Sequence, residues 1–308
     1  MSRARRAQAL TGSLAAVAAA ALLTLPASAA TSPAASPAPP AGDPTAAPTT
    51  TVGPATPGTA APAAPTTTAG PGLGTATVPP EEPATKPKTY VISKHTISVL
   101  NRYVINPDGT HETMTLTNVG YGDNFTVQTQ TRKSSVVLAS PNFLYGCSWG
   151  ICSPHRTLPV QVKHDGNPGA SVDTAGHPAG LYNAAYDIWF ELKPYLNGQP
   201  HGAEIMIWPR ETPGIGTTRG YPEVRVDGAL YWFIHWRARN SRGSWNYIQF
   251  RKVSQVNDLR GLHVNDFIKV AEAHRLLSAN WYLQNITAGF EIWTGGKGLQ
   301  MSNFWAQG

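Results

Sequence analysis

The sequence predicts an all-β fold, a jelly-roll β-sandwich of two stacked antiparallel sheets with one packed α-helix, and three observations carry that expectation. Short runs beyond Lys88 alternate apolar with polar residues at a period of two, turn pairs separate them, and a single segment shows the 3.6-residue period of an amphipathic helix. The chain has no repeat of solenoid or propeller length. Two packed sheets are then the simplest way to bury one face of every strand.

Composition divides the chain before any element is assigned. Of its 308 residues, every aromatic (9 Trp, 11 Tyr, 8 Phe) lies at or beyond Tyr90, while more than half of the 27 prolines precede it. A segment without aromatics and rich in Pro, Ala and Thr cannot bury enough apolar surface to fold. Residues 1–30 begin with Arg3, Arg5 and Arg6, continue through an apolar Ala/Leu/Val stretch and reach Ala27-Ser28-Ala29, the pattern of a secretory signal peptide. Residues 31–88 read as a Pro/Thr/Ala-rich disordered linker or tail. Residues 89–308 are enough for one folded domain with a sizeable core. The expected location is secreted and extracellular, with no membrane contact after signal cleavage.

Charge and cysteine usage exclude several classes. The net charge of +6, from 24 Lys and Arg against 18 Asp and Glu, is scattered without a basic block, so no nucleic acid is expected as a partner. In an oxidising compartment the 2 cysteines, Cys147 and Cys152, read as one short disulfide. Two cysteines and 9 histidines without an H-E-x-x-H pattern imply no metal. Gly295-Gly296-Lys297-Gly298 lacks the Ser/Thr and the spacing of a phosphate loop. Gly146-Cys147-Ser148-Trp149-Gly150 matches G-x-S-x-G, but that motif works on a strand-turn-helix hinge, and Cys152 and Pro154 argue against a helix there.

The strands follow from alternation. Thr113–Thr117, Phe125–Thr129, Glu223–Val226 and Tyr247–Phe250 each present one apolar face. Asn106-Pro107-Asp108-Gly109, Asp227-Gly228 and Asn240-Ser241-Arg242-Gly243 supply turns. The helix is expected over Asp266–Leu277, where Phe267, Val270, Ala271, His274 and Leu277 share one side and Asn265 is available as N-cap. His274 reads as a packed or half-exposed helix residue rather than a ligand.

Three strands carry an acid among aromatics: Tyr186-Asp187-Ile188-Trp189-Phe190, Ala203-Glu204-Ile205-Met206-Ile207-Trp208 and Gly289-Phe290-Glu291-Ile292-Trp293. Period-two geometry puts Glu204 on one face with Met206 and Trp208, Glu291 with Trp293, and Asp187 with Trp189. Carboxylates are disfavoured in strands, and one such acid alone reads as a solvated or salt-bridged residue. Three together point to a cleft with acids on its floor and indoles beside them. That suits a sugar polymer, because indole faces stack on pyranose rings and a carboxyl pair can cleave the bond between them.

The strings YGCSWGICS (145–153), YNAAYDIWF (182–190), EIMIW (204–208) and NWYLQNITAGFEIWTGGKGLQMSNF (280–304) resemble glycoside hydrolase family 12, secreted endo-β-1,4-glucanases and xyloglucan-cleaving enzymes. The resemblance implies a jelly roll with an open cleft on its concave sheet and a helix against the convex side. It implies Glu204 as nucleophile, Glu291 as acid/base and Asp187 as the acid that tunes the nucleophile. Met206 and Trp208 are implied to line the cleft, and Trp149 and Trp293 complete the candidate substrate-binding set. It also implies the Cys147–Cys152 disulfide loop. The expected partner is a β-glucan polysaccharide, handled by a monomer without a cofactor. The alternative is a non-catalytic carbohydrate-binding jelly roll of the cell surface.

Three features depart from that pattern. Family members carry an early-strand Trp that stacks a sugar, whereas the first Trp here is Trp149; Asn101 or Tyr103 could substitute in part. Pro209 directly follows EIMIW, so the strand is expected to stop or bulge there. The run Leu230–Arg239 places Trp232 and Trp236 on one strand face, with core packing and sugar stacking both open as their role.

Overall fold

The structure is a computed structural model and describes residues 87–108, 111–112, 114–194 and 198–308. The expected signal peptide, nearly all of the expected tail, and Thr113 of the first alternating run lie outside the described residues.

Two sheets form. The smaller runs in the order β1 (Thr89–Ile92), β4 (Leu116–Val119), β5 (Asn124–Val127), β17 (Gln300–Gln307), β9 (Gly169–Ala175) and β15 (Asp258–His263). The larger runs β12 (Glu223–Val226), β13 (Ala229–Asn240), β14 (Gly243–Lys252), β11 (Ala203–Glu211), β10 (Leu181–Glu191), β16 (Tyr282–Thr294), β6 (Asn142–Ser148), β3 (Tyr103–Asn106) and β2 (Ile97–Val99). Short β7 (Ile151–Cys152) pairs with β6, and β8 (Val160–Gln161) with β16. The expected sandwich is present, with one correction to its antiparallel sheets: β11 and β14 run parallel. The chain leaves β11, builds β12 and β13 at the sheet edge, and returns as β14.

Alternation decides which residues fill the sandwich. Along β10, Tyr182, Ala184, Tyr186, Ile188 and Phe190 enter the core between the sheets, and Ile205 and Ile207 join them from β11. Phe143 of the larger sheet stacks on Phe304 of the smaller at 5.1 Å between centroids, and Phe125 packs on Phe143 at the same distance. Burying each such ring stabilises the fold by roughly 2–3 kcal/mol relative to exposure. The opposite face of the larger sheet carries a second apolar cluster that includes Trp189, Met206, Trp208, Trp245 and Trp293.

The single helix among the described residues, α1 (Val264–Ala273), packs Phe267 edge-on against Tyr231 and Phe250. It covers the core side of β13 and β14. It differs from the expected Asp266–Leu277 at both ends. His263, not Asn265, is the N-cap, and no side chain caps it. The helix ends early because Arg275 adopts a left-handed φ of 59°, with Arg275 N–H donating to Glu272 O and Leu276 N–H to Ala271 O, a Schellman termination. His274 falls outside the helix as its C-cap and is exposed.

Pro209 bulges its strand without ending it. Ala184 pairs with Arg210 and Tyr186 with Ile207, so Trp208 and Pro209 together oppose Ala185. The extra residue switches the alternation beyond it. Arg210 then lies over Tyr182 on the core side, and Glu211 reaches the cleft side, where Arg251 clasps it with two hydrogen bonds.

Candidate active site

Strand β10 lies between β11 and β16 in the larger sheet, so the three predicted acids stand on three adjacent strands. Glu204 of β11 is opposite Trp189, and Glu291 of β16 is opposite Asn183. Asp187 lies between those two positions on β10. All three side chains line one cleft, together with Trp149, Trp189 and Met206.

Each glutamate is oriented through one oxygen. Trp245 Nε1 donates to Glu204 Oε2 at 2.6 Å. Asn183 Nδ2 donates to Glu291 Oε2 at 2.6 Å, while its Oδ1 accepts the Glu291 backbone N–H at 2.9 Å. Trp189 Nε1 donates to Asp187 Oδ2 at 3.1 Å, and Asp187 Oδ1 is sealed from solvent without a hydrogen-bond partner. These contacts leave the other oxygen of each glutamate without a protein hydrogen bond.

The environment favours the neutral acids. Burial pushes Glu291 up to about 7, with the Asn183 hydrogen bond opposing the rise. Burial also raises Asp187 to about 7, reinforced by the charges of Glu291 and Asp108 and opposed by the bond from Trp189. Glu204 is held well above the ordinary carboxylate range by burial first and then by Asp187 and Glu291, with Trp245 pulling the other way. Three carboxyls in mutual range cannot all ionise near neutral pH.

The rest of the predicted set occupies the same face. Trp208 and Trp293, from the two strands flanking β10, meet edge to face at 6.4 Å. Arg251 lies 5.1 Å from the Trp208 ring centroid and ties it to Glu211. A disulfide joins Cys147 and Cys152, which pair across the β6–β7 hairpin. Trp149 and Gly150 form its two-residue turn with φ of 46° and 86°, and Trp149 stands edge-on to Trp189 at 5.4 Å. No helix follows Ser148, so the nucleophile-elbow geometry is absent.

Two expectations about sugar contacts need correction. Tyr103 is no substitute for the missing early Trp, because it is buried against Phe304 and accepts the Ala306 N–H. Asn101 sits in a turn and hydrogen-bonds His155, and neither residue lines the cleft. That end of the cleft is polar instead, lined by Asn106, Asp108, Ser140 and Asn142. Core packing does not describe Trp236, which is 42 % exposed and stacked on Tyr247.

Sequence reasoning missed Asn183, Trp245 and Tyr247. Asn183 was within reach, since it shares parity with Asp187 and Trp189 on one strand. Trp245 and Tyr247 were not, because their position depends on the parallel pairing of β14 with β11.

Comparison with known proteins agrees with this architecture. The model of glycosyl hydrolase family 12 matches residues 97–307. Endoglucanase S of Pectobacterium parmentieri is 29 % identical over 165 residues, a match covering 52 % of this chain and 61 % of that protein. The chain thus spans about three fifths of that relative's length. A metagenome-derived family 12 endoglucanase superimposes with a TM-score of 0.66 at 27 % identity, covering 72 % of this chain and 98 % of that one. Endoglucanase cel12A from Rhodothermus marinus gives 0.65 at 29 % identity, covering 71 % and 98 %.

Proposed function

The chain belongs to glycosyl hydrolase family 12, and on that premise we propose that it is a secreted endo-β-1,4-glucanase cleaving β-1,4-glucan or xyloglucan with retention of configuration. The observation that carries this reading is the pairing of two buried glutamates on one cleft face, each held through a single oxygen by a fixed donor. A purely binding jelly roll has no use for such a pair, and burying it costs stability.

In this reading Glu291 carries the proton at the start and gives it to the departing glycosidic oxygen. Ionised Glu204 attacks the anomeric carbon through the oxygen that Trp245 leaves free, forming a glycosyl ester. Water then attacks that ester while Glu291, now a carboxylate, takes the water's proton. Asp187 holds a proton while Glu204 is charged, which removes one of two like charges from the floor. Indole faces of the cleft position the sugar rings. The chemistry needs only carboxyl groups. In the same reading residues 1–30 serve as the secretory signal and 31–88 as a linker or tail of a monomeric enzyme.

The test is reducing-sugar release from carboxymethylcellulose, mixed-linkage β-glucan and xyloglucan, with Glu204→Gln as control. Activity that disappears in the variant supports the reading. Binding without hydrolysis on all three polymers favours the non-catalytic alternative.

A further inference from the structure

Glu204, Tyr247 and Trp236 occupy one line across three neighbouring strands. Tyr247 of β14 is the register partner of Glu204 on one side and of Trp236 of β13 on the other. Two inter-strand spacings put the Trp236 backbone about 9–10 Å from that of Glu204. This is far enough for its indole to meet a different sugar ring from the one under attack.

The Trp236 ring is set up as a platform. One face lies on Tyr247 at 4.0 Å between centroids and 28° between planes, which fixes the plane of the indole against its neighbour, and 42 % of the residue remains exposed. Tyr247 itself is buried, is the register partner of Glu204, and belongs to the same apolar cluster as Met206 and Trp245, so it joins the platform to the floor around Glu204. Beyond Phe233, β13 pairs only with β14 among the described residues, so Trp236 stands at the sheet edge, on the face that carries Glu204 but outside the residues that line the acid pocket. A single exposed indole is ordinary on a protein surface. An indole in line with a buried carboxylate, stacked on a second aromatic and on the same face, is a built surface.

We propose that Trp236, seated on Tyr247, is a stacking subsite for a distal pyranose ring of the β-glucan chain, and that it moves the grip of this enzyme to the β13 end of the cleft. The inference rests on the glucanase reading above. It accounts for the polar lining at the β3 end, where Tyr103 is committed to the core. A chain anchored at the β13 end keeps its other end free to run past Asn106 and Asn142 through hydrogen bonds.

The test compares the full chain with Trp236→Ala and Trp236→Tyr on β-1,4-linked gluco-oligosaccharides of increasing length. Trp236→Ala is expected to lose about three- to tenfold in kcat/KM on the longest oligosaccharide and nothing on the shortest one cleaved, with Trp236→Tyr recovering most of the loss. The thermal unfolding midpoint of Trp236→Ala should fall by only a few degrees, from loss of the stack on Tyr247, and Trp236→Tyr should recover most of it. Equal kcat/KM at every length in Trp236→Ala overturns the subsite while leaving the glucanase reading intact. If the wild-type chain cleaves nothing, that reading falls, and calorimetric binding of the longest oligosaccharide decides the platform separately. Weaker binding in Trp236→Ala then supports it, and equal or undetectable binding overturns it.

Discussion

The Trp245 indole donates its N–H to Glu204 Oε2 at 2.6 Å from a strand that runs parallel to the one carrying the glutamate. In a cleft where burial and two other acids disfavour charge on Glu204, this bond favours the ionised form. A hydrogen bond to a charged group contributes about 1.5–3 kcal/mol, which is comparable to the opposing effect of a neighbouring like charge.

Trp245→Phe keeps the ring and deletes the donor. Glu204 should then ionise at higher pH, the acid limb of the kcat profile should move upward, and kcat near neutrality should fall about tenfold or more. A pH-rate profile of the purified variant measures both effects, and an unmoved acid limb would remove Trp245 from the mechanism.

Asn183 acts on the other glutamate. Its side-chain N–H lowers the Glu291 pKa against burial. Asn183→Ala should therefore let the pKa rise, so the alkaline limb, set by loss of the proton from the general acid, shifts upward. The same profile on a soluble β-glucan checks this, and a shift toward acid pH would contradict the assignment of Glu291 as acid.

Stability should depend on pH through the same groups. Glu291 moves from 4.5 to about 7 on folding and Asp187 from 3.8 to about 7. The native chain thus binds more protons than the unfolded chain between those values. Stability is full below the ordinary carboxylate range and falls as pH climbs through about 7. Glu291→Gln cannot titrate there, so it should flatten this decline by on the order of 3 kcal/mol. Urea unfolding at pH 4 and pH 8 compares the two chains, and parallel declines would show that Glu291 does not ionise at elevated pH.

The helix terminus offers a separate check. Arg275 holds a left-handed φ of 59° at the position where glycine carries no steric penalty. Arg275→Gly should raise stability by up to about 1 kcal/mol without affecting hydrolysis. A thermal melt and one activity assay are sufficient, and a destabilised variant would mean that the arginine side chain makes a compensating contact.

Much of this arrangement was legible residue by residue. The two-residue period alone put Glu204 with Met206 and Trp208, and Glu291 with Trp293, because alternate side chains of a strand leave opposite faces. Pro209 announced its bulge for the same kind of reason, since it lacks the N–H a regular ladder needs. The helix could be placed but not its ends. The apolar stripe ran on to Leu277, yet an internal hydrogen-bonded turn at Arg275 stopped the helix first.

Alternation within each strand defines the set of faces: one sandwich core, one acidic and aromatic cleft surface, and the acids that belong to it. Which donors serve those acids, and where the remaining indoles stand, follow from how distant strands pair. Trp245 reaches Glu204, and Tyr247 carries Trp236, only because β14 returns beside β11 after two intervening strands. Alternation within a strand is a local consequence of backbone geometry. Register between distant strands depends on how the whole chain closes its core, and no local pattern encodes it.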